Sequence, residues 1–131
     1  YPETTKGVYH LFPFRYKKEA FKGLSRDAFM NALNAEGIPC YKGYTPLNKM
    51  PFLKDVFKTK NFVKTYSKKR LNYNKYMEQN QCPQNDILCN EEALWFNQNL
   101  FLAGKTEMDA IYSAIEKTYA NAEKIKNTNS K

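Results

Sequence analysis

The residues best suited to chemistry lie in the stretch 37–48, where turn-forming residues alternate with polar side chains. Gly37 adopts the left-handed conformation that ends a helix more readily than other residue types do. The two prolines of the stretch each fix their own φ and favour extended geometry in the preceding residue. We therefore expect a helix end, a short strand and a stiff polar loop that presents Lys42, Tyr44 and Asn48. Such loops often carry function, although an ordinary helix-to-strand connection gives the same pattern.

The rest of the sequence contains no complete active-site motif: no Gly-rich phosphate loop, no metal-ligand cluster and no nucleophile motif. His10 is the only histidine, and a lone histidine in a strand among aromatic residues usually has a structural role. Cys40 therefore has no second histidine with which to form a catalytic pair. Cys82 and Cys89 are not spaced as zinc ligands usually are. Three sparse cysteines predict reduced thiols in a cytoplasmic protein rather than a disulfide scaffold.

The length of 131 residues predicts a single domain, 1–131. The net charge of +8 permits binding to a polyanion. No apolar run is long enough for a membrane span, so we expect no membrane partner. A sequence that starts at a tyrosine suggests a processed product or an excised piece of a longer protein.

The first half of the sequence predicts a strand, a helix and a second strand. Residues 8–16 are rich in β-formers, and Pro13 inside them predicts an edge or bulged strand because proline has no N–H to donate. Ser25 is a good N-cap for a helix over 26–36. A short strand is expected over 38–41.

Residues 58–81 form a basic and aromatic insertion in which seven Lys and Arg residues are interleaved with Phe62, Tyr66, Tyr73 and Tyr76. The aromatic spacing is roughly helical, but the density of Asn and Lys is equally typical of a partly mobile segment. The pattern over 58–76 suggests phosphate contacts and stacking platforms for single-stranded nucleic acid. We favour the simpler interpretation, in which a solvated basic face covers an aromatic side, so nucleic acid is not the expected partner.

The last third predicts a short helix, a strand and a long helix. Pro83 suits the first turn of the short helix, and the strand covers 93–96. Residues 106–109 resemble a capping box for an amphipathic helix over 107–124. The polar tail 127–131 is expected to fray. Asp86, Glu91 and Glu92, near this element boundary, are interpreted as surface charge and helix-end electrostatics.

This order of elements predicts an α+β fold: a small, mainly antiparallel sheet with helices packed on one face.

Several segments, in a fixed order, together carry a family resemblance. They are Val8–Phe12 with Arg15, Gly23–Phe29, Ala32–Cys40, Gly43–Leu47, Pro51–Phe52, Cys82–Pro83, Glu91–Phe96 with Gln98–Asn99, Met108–Asp109 and Ala114–Lys117. These segments span nearly the whole chain and resemble the C-terminal domain of the DegT/DnrJ/StrS family of PLP-dependent sugar aminotransferases. The ordered set, rather than any single segment, is specific.

The resemblance implies the small domain of a fold-type I aminotransferase, which packs against a large domain that binds pyridoxal 5′-phosphate (PLP). That domain supplies the Schiff-base lysine, the aspartate facing the pyridine nitrogen and the phosphate cup, and none of these motifs is present in this chain. The expected partner is thus a missing N-terminal domain of the same polypeptide, in a homodimeric parent. The chain alone is expected to bind no cofactor and no metal, and to be inactive.

The parent reaction implied by the resemblance transfers an amino group to a keto-sugar or keto-cyclitol, in nucleotide-sugar, cell-surface polysaccharide or aminocyclitol biosynthesis. The loop 42–48 is then expected to line one wall of the interdomain cleft. Tyr44 would hydrogen-bond a hydroxylated ring, and Lys42 or Arg15 would meet an anionic substrate group. His10 and Asn48 complete the set of substrate-cleft candidates.

Overall fold

The chain is divided into two compact units, Tyr1–Gly43 with Glu91–Lys131 and Tyr44–Asn90. The computed structural model describes residues 2–3, 5–7 and 9–128. Over these residues the fold is mixed α+β, with seven α-helices and a three-stranded antiparallel sheet.

The sheet belongs to the first unit and consists of β1 (Leu11–Arg15), β2 (Tyr41–Lys42) and β3 (Ala93–Asn97) in the order β1-β3-β2. Both pairings are antiparallel, and Pro13 lies opposite Trp95. The predicted edge position of Pro13 is confirmed. An edge strand tolerates proline because the outer side of the strand needs no N–H donor.

Both early strands are shorter than the sequence predicted. The first begins at Leu11 rather than at residue 8; Val8 lies outside the described residues, and His10 lies in a bend before the strand. The second begins at Tyr41 rather than at residue 38. The late start has a physical reason: the side chain of Asn34 forms the hydrogen bonds that the Cys40 backbone would otherwise make to a neighbouring strand. Its Oδ1 accepts from the Cys40 N–H at 3.0 Å, and its Nδ2 donates to the Cys40 carbonyl at 3.1 Å.

The helices of the described residues fall in both units, and 3-10 or π turns join some of the elements. The α-helices are α1 (Arg26–Ala35), α2 (Leu53–Val56), α3 (Lys60–Thr65), α4 (Tyr73–Gln79), α5 (Pro83–Ile87), α6 (Lys105–Ala120) and α7 (Ala122–Thr128). The 3-10 turns are Lys18–Phe21, Leu47–Lys49 and Gln98–Phe101, and the π turn is Leu88–Glu92.

The helix α1 follows its sequence signals closely. The Ser25 hydroxyl accepts a hydrogen bond from the Ala28 N–H at 3.2 Å, which satisfies one of the unpaired donors of the first turn. Gly37 has a φ of 83°, in the left-handed region that suits glycine at a helix end. The predicted helix is confirmed, with its last residue one position earlier.

The long C-terminal helix was predicted with the wrong start and without its break. The helix α6 begins at Lys105 with Gly104 as its N-cap and no capping side chain, so the expected capping box is not formed. The helix is interrupted at Asn121, whose Nδ2 donates to the Lys117 carbonyl at 2.8 Å, in competition with the backbone N–H of the same residue at 3.1 Å. In the tail predicted to fray, residues 127–128 are helical in α7, and the rest lies outside the described residues.

The core of the first unit is built on one face of the sheet. Leu94 and Phe96 are buried and alternate along β3 with the half-buried Trp95, as the pleat of a strand requires. The helices contribute the buried side chains of Phe29 and Leu33 from α1, with further contributions from α6 and α7. Burial of each large aliphatic or aromatic side chain contributes about 1.5–3 kcal/mol, so this cluster is the main source of stability in the unit.

The second unit has a different interior. Among residues 44–90, all of which the structure describes, only Pro46 is buried. Half-buried rings surround Phe57, whose centroid lies 6.3 Å from Phe62, 6.1 Å from Tyr73 and 5.2 Å from Tyr76. The insertion 58–81 therefore contains two short helices, each of which packs at least one ring against Phe57, rather than one continuous helix.

Candidate functional site

The five predicted substrate-cleft residues are distributed over both units. His10, Arg15 and Lys42 belong to the first unit, whereas Tyr44 and Asn48 belong to the second. The division falls inside the predicted loop, directly after Gly43, whose N–H donates to the Ala93 carbonyl at 3.0 Å. This hydrogen bond fixes the point where the chain leaves the sheet.

Lys42, the last residue of β2, forms an ion pair with a residue of the first turn of α1. Its Nζ lies 3.4 Å from Oδ2 of Asp27, and both side chains are more than half exposed. Partial burial raises the pKa of Asp27, but hydrogen bonds from Arg26 and Lys42 outweigh this and hold that pKa below its ordinary value. Because the pair is long and solvated, the ammonium of Lys42 can exchange Asp27 for another anion at little cost.

Arg15, the last residue of β1, is held more firmly. Its Nε donates to Oε2 of Glu92 at 2.7 Å, and its Nη2 lies 2.5 Å from the same oxygen. The Glu92 side chain is only 20% exposed. An anionic substrate would therefore have to compete with a short, charge-assisted contact, which makes Arg15 the weaker candidate of the two cations.

The sheet register also separates these two cations. Arg15 lies opposite Ala93, and Lys42 lies opposite Leu94, the next residue of β3. Paired residues share a face of the sheet and successive residues alternate between faces. Arg15 and Lys42 therefore project from opposite faces and do not converge on one ligand.

His10 is exposed and lies outside the strand in which the sequence placed it. It precedes β1 directly, between Tyr9 and Leu11. Nothing in its described surroundings brings it together with Arg15 or Lys42.

Tyr44 and Asn48 begin the second unit. Tyr44 is 69% exposed in the loop that follows β2. The Nδ2 of Asn48, in the turn Leu47–Lys49, donates to the Asn80 carbonyl at 2.7 Å. Asn48 thus holds the loop in place, while the side chain of Tyr44 is largely exposed.

The sequence did not reveal the acidic partners of the basic residues. Asp86 and Glu92 were interpreted as surface charge, but Oδ2 of Asp86 lies 2.6 Å from Nζ of Lys49, and Glu92 holds Arg15. Oδ1 of Asp86 is buried and has no hydrogen-bond partner among the described residues. These partners are separated by 37 and 77 positions, so no local pattern could have joined them.

The aromatic residues of the insertion do not form an open stacking surface. Phe62, Tyr73 and Tyr76 are half-buried and each lies against Phe57, and the ring centroids of Tyr66 and Phe62 are 5.5 Å apart. Base stacking needs ring faces that a nucleobase can reach. The arrangement supports the interpretation of 58–81 as a solvated basic face over an aromatic side.

Neither a metal centre nor a membrane-spanning helix is found in the part of the chain that the structure describes. No three or more His, Cys, Asp and Glu side chains there are grouped to hold a metal ion. No helix over the same residues has both the length and the apolar character needed to cross a bilayer.

Comparison with known proteins gives no match: no family model, no curated protein and no solved structure is significantly similar to the chain.

Proposed function

We propose that this chain is the C-terminal small domain of a PLP-dependent aminotransferase of the DegT/DnrJ/StrS type, which transfers an amino group to a keto-sugar or keto-cyclitol. The proposal begins from the ordered resemblance and draws support from the mixed α+β fold with its small antiparallel sheet. In this proposal the domain has no activity alone and forms one wall of the parent enzyme's site.

The observation that carries the proposal furthest is an apolar hollow of about 490 Å³ on the first unit. Its largest side chains are Tyr9, Phe12, Phe101 and Leu102, which are 58%, 43%, 37% and 72% exposed. The ring centroids of Phe12 and Phe101 lie 5.0 Å apart, so the residues form one continuous patch. Clustered large apolar side chains of this kind are typical of a surface that another domain covers.

The residues of this chain do not fit PLP by themselves. Of the lysines that the structure describes, all are exposed except Lys49, which is half-buried and paired with Asp86. A Schiff-base lysine has to lie in an enclosed site where its amine meets the cofactor. In the proposed parent, PLP bound to the large domain supplies the electron sink for amino transfer.

The contribution of this chain is to bind and orient the substrate. Tyr44 offers a phenol that donates and accepts hydrogen bonds, which suits the hydroxyl groups of a sugar or cyclitol ring. Lys42, two positions earlier in the chain, offers an ammonium that its long contact with Asp27 holds only weakly. We therefore assign substrate contact to Tyr44 and Lys42, ahead of Arg15, His10 and Asn48.

The test is to express the full gene product that contains this sequence and to measure amino transfer. We expect bound PLP, and its conversion to pyridoxamine phosphate by an amino sugar or aminocyclitol, whereas the 131-residue chain alone shows neither. Tyr44→Phe is expected to lower kcat/KM about three- to tenfold, the effect of one lost hydrogen bond. Tyr112→Phe on α6 is the matched control, because that exposed hydroxyl donates to Glu116 within its own helix.

A gene product without PLP would contradict the proposal. If PLP is bound but Tyr44→Phe leaves kcat and KM unchanged, the assignment of Tyr44 fails while the aminotransferase assignment stands.

A stand-alone basic module that contacts nucleic acid through residues 58–76 is the second candidate. It draws support from the charge of residues 44–90, which carry nine basic and three acidic side chains. We place it second because the rings needed for stacking contact one another. Salt-sensitive binding of random oligonucleotides to the chain would favour it over the aminotransferase assignment.

A further inference from the structure

A basic hollow of about 420 Å³ lies within residues 67–80 of the second unit, in the size range of small-molecule sites. Eight side chains line it, three of them cationic and none acidic. They are Ser67, Lys69, Arg70, Asn72, Lys75, Tyr76, Gln79 and Asn80.

One wall of the hollow is a single face of α4. Asn72, Lys75, Tyr76, Gln79 and Asn80 follow the spacing i, i+3, i+4, i+7 and i+8, which brings their side chains to the same side of a helix.

Hydrogen bonds fix both ends of this wall. Oδ1 of Asn72 accepts from the Lys75 N–H at 3.0 Å and caps the start of α4. At the other end, Nδ2 of Asn80 donates to the Tyr76 carbonyl at 2.8 Å, and the Asn80 carbonyl accepts from Asn48. The lining residues of α4 are therefore held in register by the backbone and its caps.

The rest of the lining comes from the turn that precedes α4. The N–H groups of Arg70 and Leu71 donate to the Ser67 carbonyl at 2.9 and 3.1 Å. This turn brings Lys69 and Arg70 into the lining of the hollow, to which α4 adds Lys75.

The three cations of the hollow lack counterions. Lys69, Arg70 and Lys75 form no ion pair with any residue that the structure describes, whereas Lys49 and Lys58 of the same unit pair with Asp86 and Asp55. These pairs use two of the three acidic residues of the unit, and the third, Glu78, is not among the lining residues. Four further lysines of the unit, Lys54, Lys60, Lys64 and Lys68, also form no ion pair with the described residues and lie outside the hollow, so the hollow gathers three of the seven unpaired cations of the unit.

We propose that this hollow binds a small phosphorylated anion. The guanidinium of Arg70 matches the oxygen geometry of a phosphoryl group, and the ammonium groups of Lys69 and Lys75 add two further positive charges to the lining. The hydroxyl of Ser67 and the amide of Gln79 add neutral donors. This inference does not depend on the aminotransferase proposal.

The structure favours a small anion over a single strand of nucleic acid. A strand would need a groove that tracks several phosphates and exposed rings for its bases. The hollow is confined to fourteen residues, and its one ring, that of Tyr76, contacts Phe57 at 5.2 Å between centroids.

The test is calorimetric titration of the 131-residue chain with inorganic pyrophosphate at about physiological ionic strength, where unspecific surface attraction is screened. Lys69→Gln is compared with Lys64→Gln, which removes an equal charge from an exposed position on α3 outside the hollow. Arg70→Gln is measured in parallel, with the circular dichroism spectrum of each variant as the control for folding. We expect Lys69→Gln and Arg70→Gln each to weaken binding about tenfold, and Lys64→Gln to change it less than twofold.

Three outcomes would overturn the proposal. One is the absence of saturable pyrophosphate binding by the unaltered chain. Another is an equal loss of affinity in Lys69→Gln and Lys64→Gln, which would indicate general charge attraction. The third is tighter binding of a twelve-nucleotide single strand than of pyrophosphate, which would make nucleic acid the ligand of this surface.

Discussion

The two units of the chain differ in what holds them together and in the charge that they carry. The twelve buried hydrophobic residues of the described part of the chain belong to the first unit, whereas the second unit buries only Pro46 and packs half-buried rings around Phe57. The first unit carries twelve basic and ten acidic side chains, a net charge of +2, whereas the second carries nine and three, a net charge of +6.

From this difference we expect the first unit to supply most of the stability and the second unit to supply a surface that attracts anions. The first unit buries enough apolar surface to be stable through its core, since burial is the dominant favourable term in folding. The second unit keeps most of its side chains in water and concentrates like charges, which opposes compaction but attracts anions. We therefore expect core substitutions in the first unit to have the largest effects on stability, and charge substitutions in the second unit to change binding.

The largest expected effect comes from the sheet core. Leu94 is fully buried in β3, so Leu94→Ala removes packed apolar surface and leaves a cavity. We expect the free energy of unfolding to fall by about 2–5 kcal/mol. Phe57→Ala in the second unit is expected to cost about 1–2 kcal/mol, because that ring is only half-buried.

Urea unfolding monitored by Trp95 fluorescence separates these two effects, since the only tryptophan lies in β3 of the first unit. Leu94→Ala should shift this transition, and Phe57→Ala should mainly reduce the far-ultraviolet circular dichroism. An equal shift of the Trp95 transition in both variants would contradict the contrast between the units.

A smaller effect on stability is expected at Asn34, whose side chain forms hydrogen bonds to the Cys40 backbone in place of a neighbouring strand. Asn34→Ala removes both hydrogen bonds to the backbone of Cys40 and leaves those polar groups without their partner. We expect a loss of about 1–3 kcal/mol in the free energy of unfolding. Asn31→Ala, at an exposed position on the same helix, is the control and should change stability by less than about 0.5 kcal/mol. Equal losses would show that the effect comes from helix propensity instead.

The next prediction concerns alkaline pH. Burial raises the pKa of Tyr16 to about 12, with a smaller contribution from Glu19, and the hydroxyl donates to the Leu24 carbonyl at 2.9 Å. Because the folded pKa lies above the ordinary tyrosine value of 10.0, this contribution to stability is present below pH 10 and is lost as the pH rises towards 12. Tyr16→Phe should therefore give a flatter decline in stability between pH 9 and 12, measured by urea unfolding. An unchanged decline would assign the alkaline sensitivity to other groups.

The smallest effect is expected at the ion pair of Asp27 and Lys42, which is long and more than half exposed. Asp27→Asn should change the free energy of unfolding by less than about 1 kcal/mol at neutral pH. Since the pKa of Asp27 is lowered in the fold, its contribution is present above the unfolded pKa and is lost as the pH falls through the folded pKa. The variant should therefore show slightly less acid sensitivity than the unaltered chain. A large loss at neutral pH would mean that this pair is structural, which would weaken Lys42 as a substrate contact.

The sequence predicted the elements whose signals are local. Ser25 and Gly37 mark the ends of α1, and Pro13 marks the edge strand. Pro83 at the start of α5 is a further case. Proline is tolerated in the first turn of a helix because the N–H that it lacks would have no partner within the helix.

The features that sequence reasoning missed depend on contacts between distant residues. The late start of β2 follows from the Asn34 side chain, and the break after α6 follows from Asn121. The pairing of Arg15 with Glu92 joins positions 77 apart, so the candidate site could be predicted in its residue types but not in its partners. The basic residues of the hollow are visible in the sequence. The hollow itself could not be predicted, because no sequence signal indicates the turn that brings Lys69 and Arg70 together with the residues of α4.

The most direct test of the proposed domain role is amide hydrogen exchange, measured on the 131-residue chain and on the full gene product. The apolar patch of Tyr9, Phe12, Phe101 and Leu102 is exposed in the chain, and a large domain that covers it would slow exchange over residues 9–12 and 98–102. The interior of α1, residues 28–33, is the internal reference and should exchange alike in both proteins. We expect clear additional protection at the patch in the full gene product. Identical exchange at the patch in the two proteins would contradict the proposal that this surface meets a PLP-binding domain.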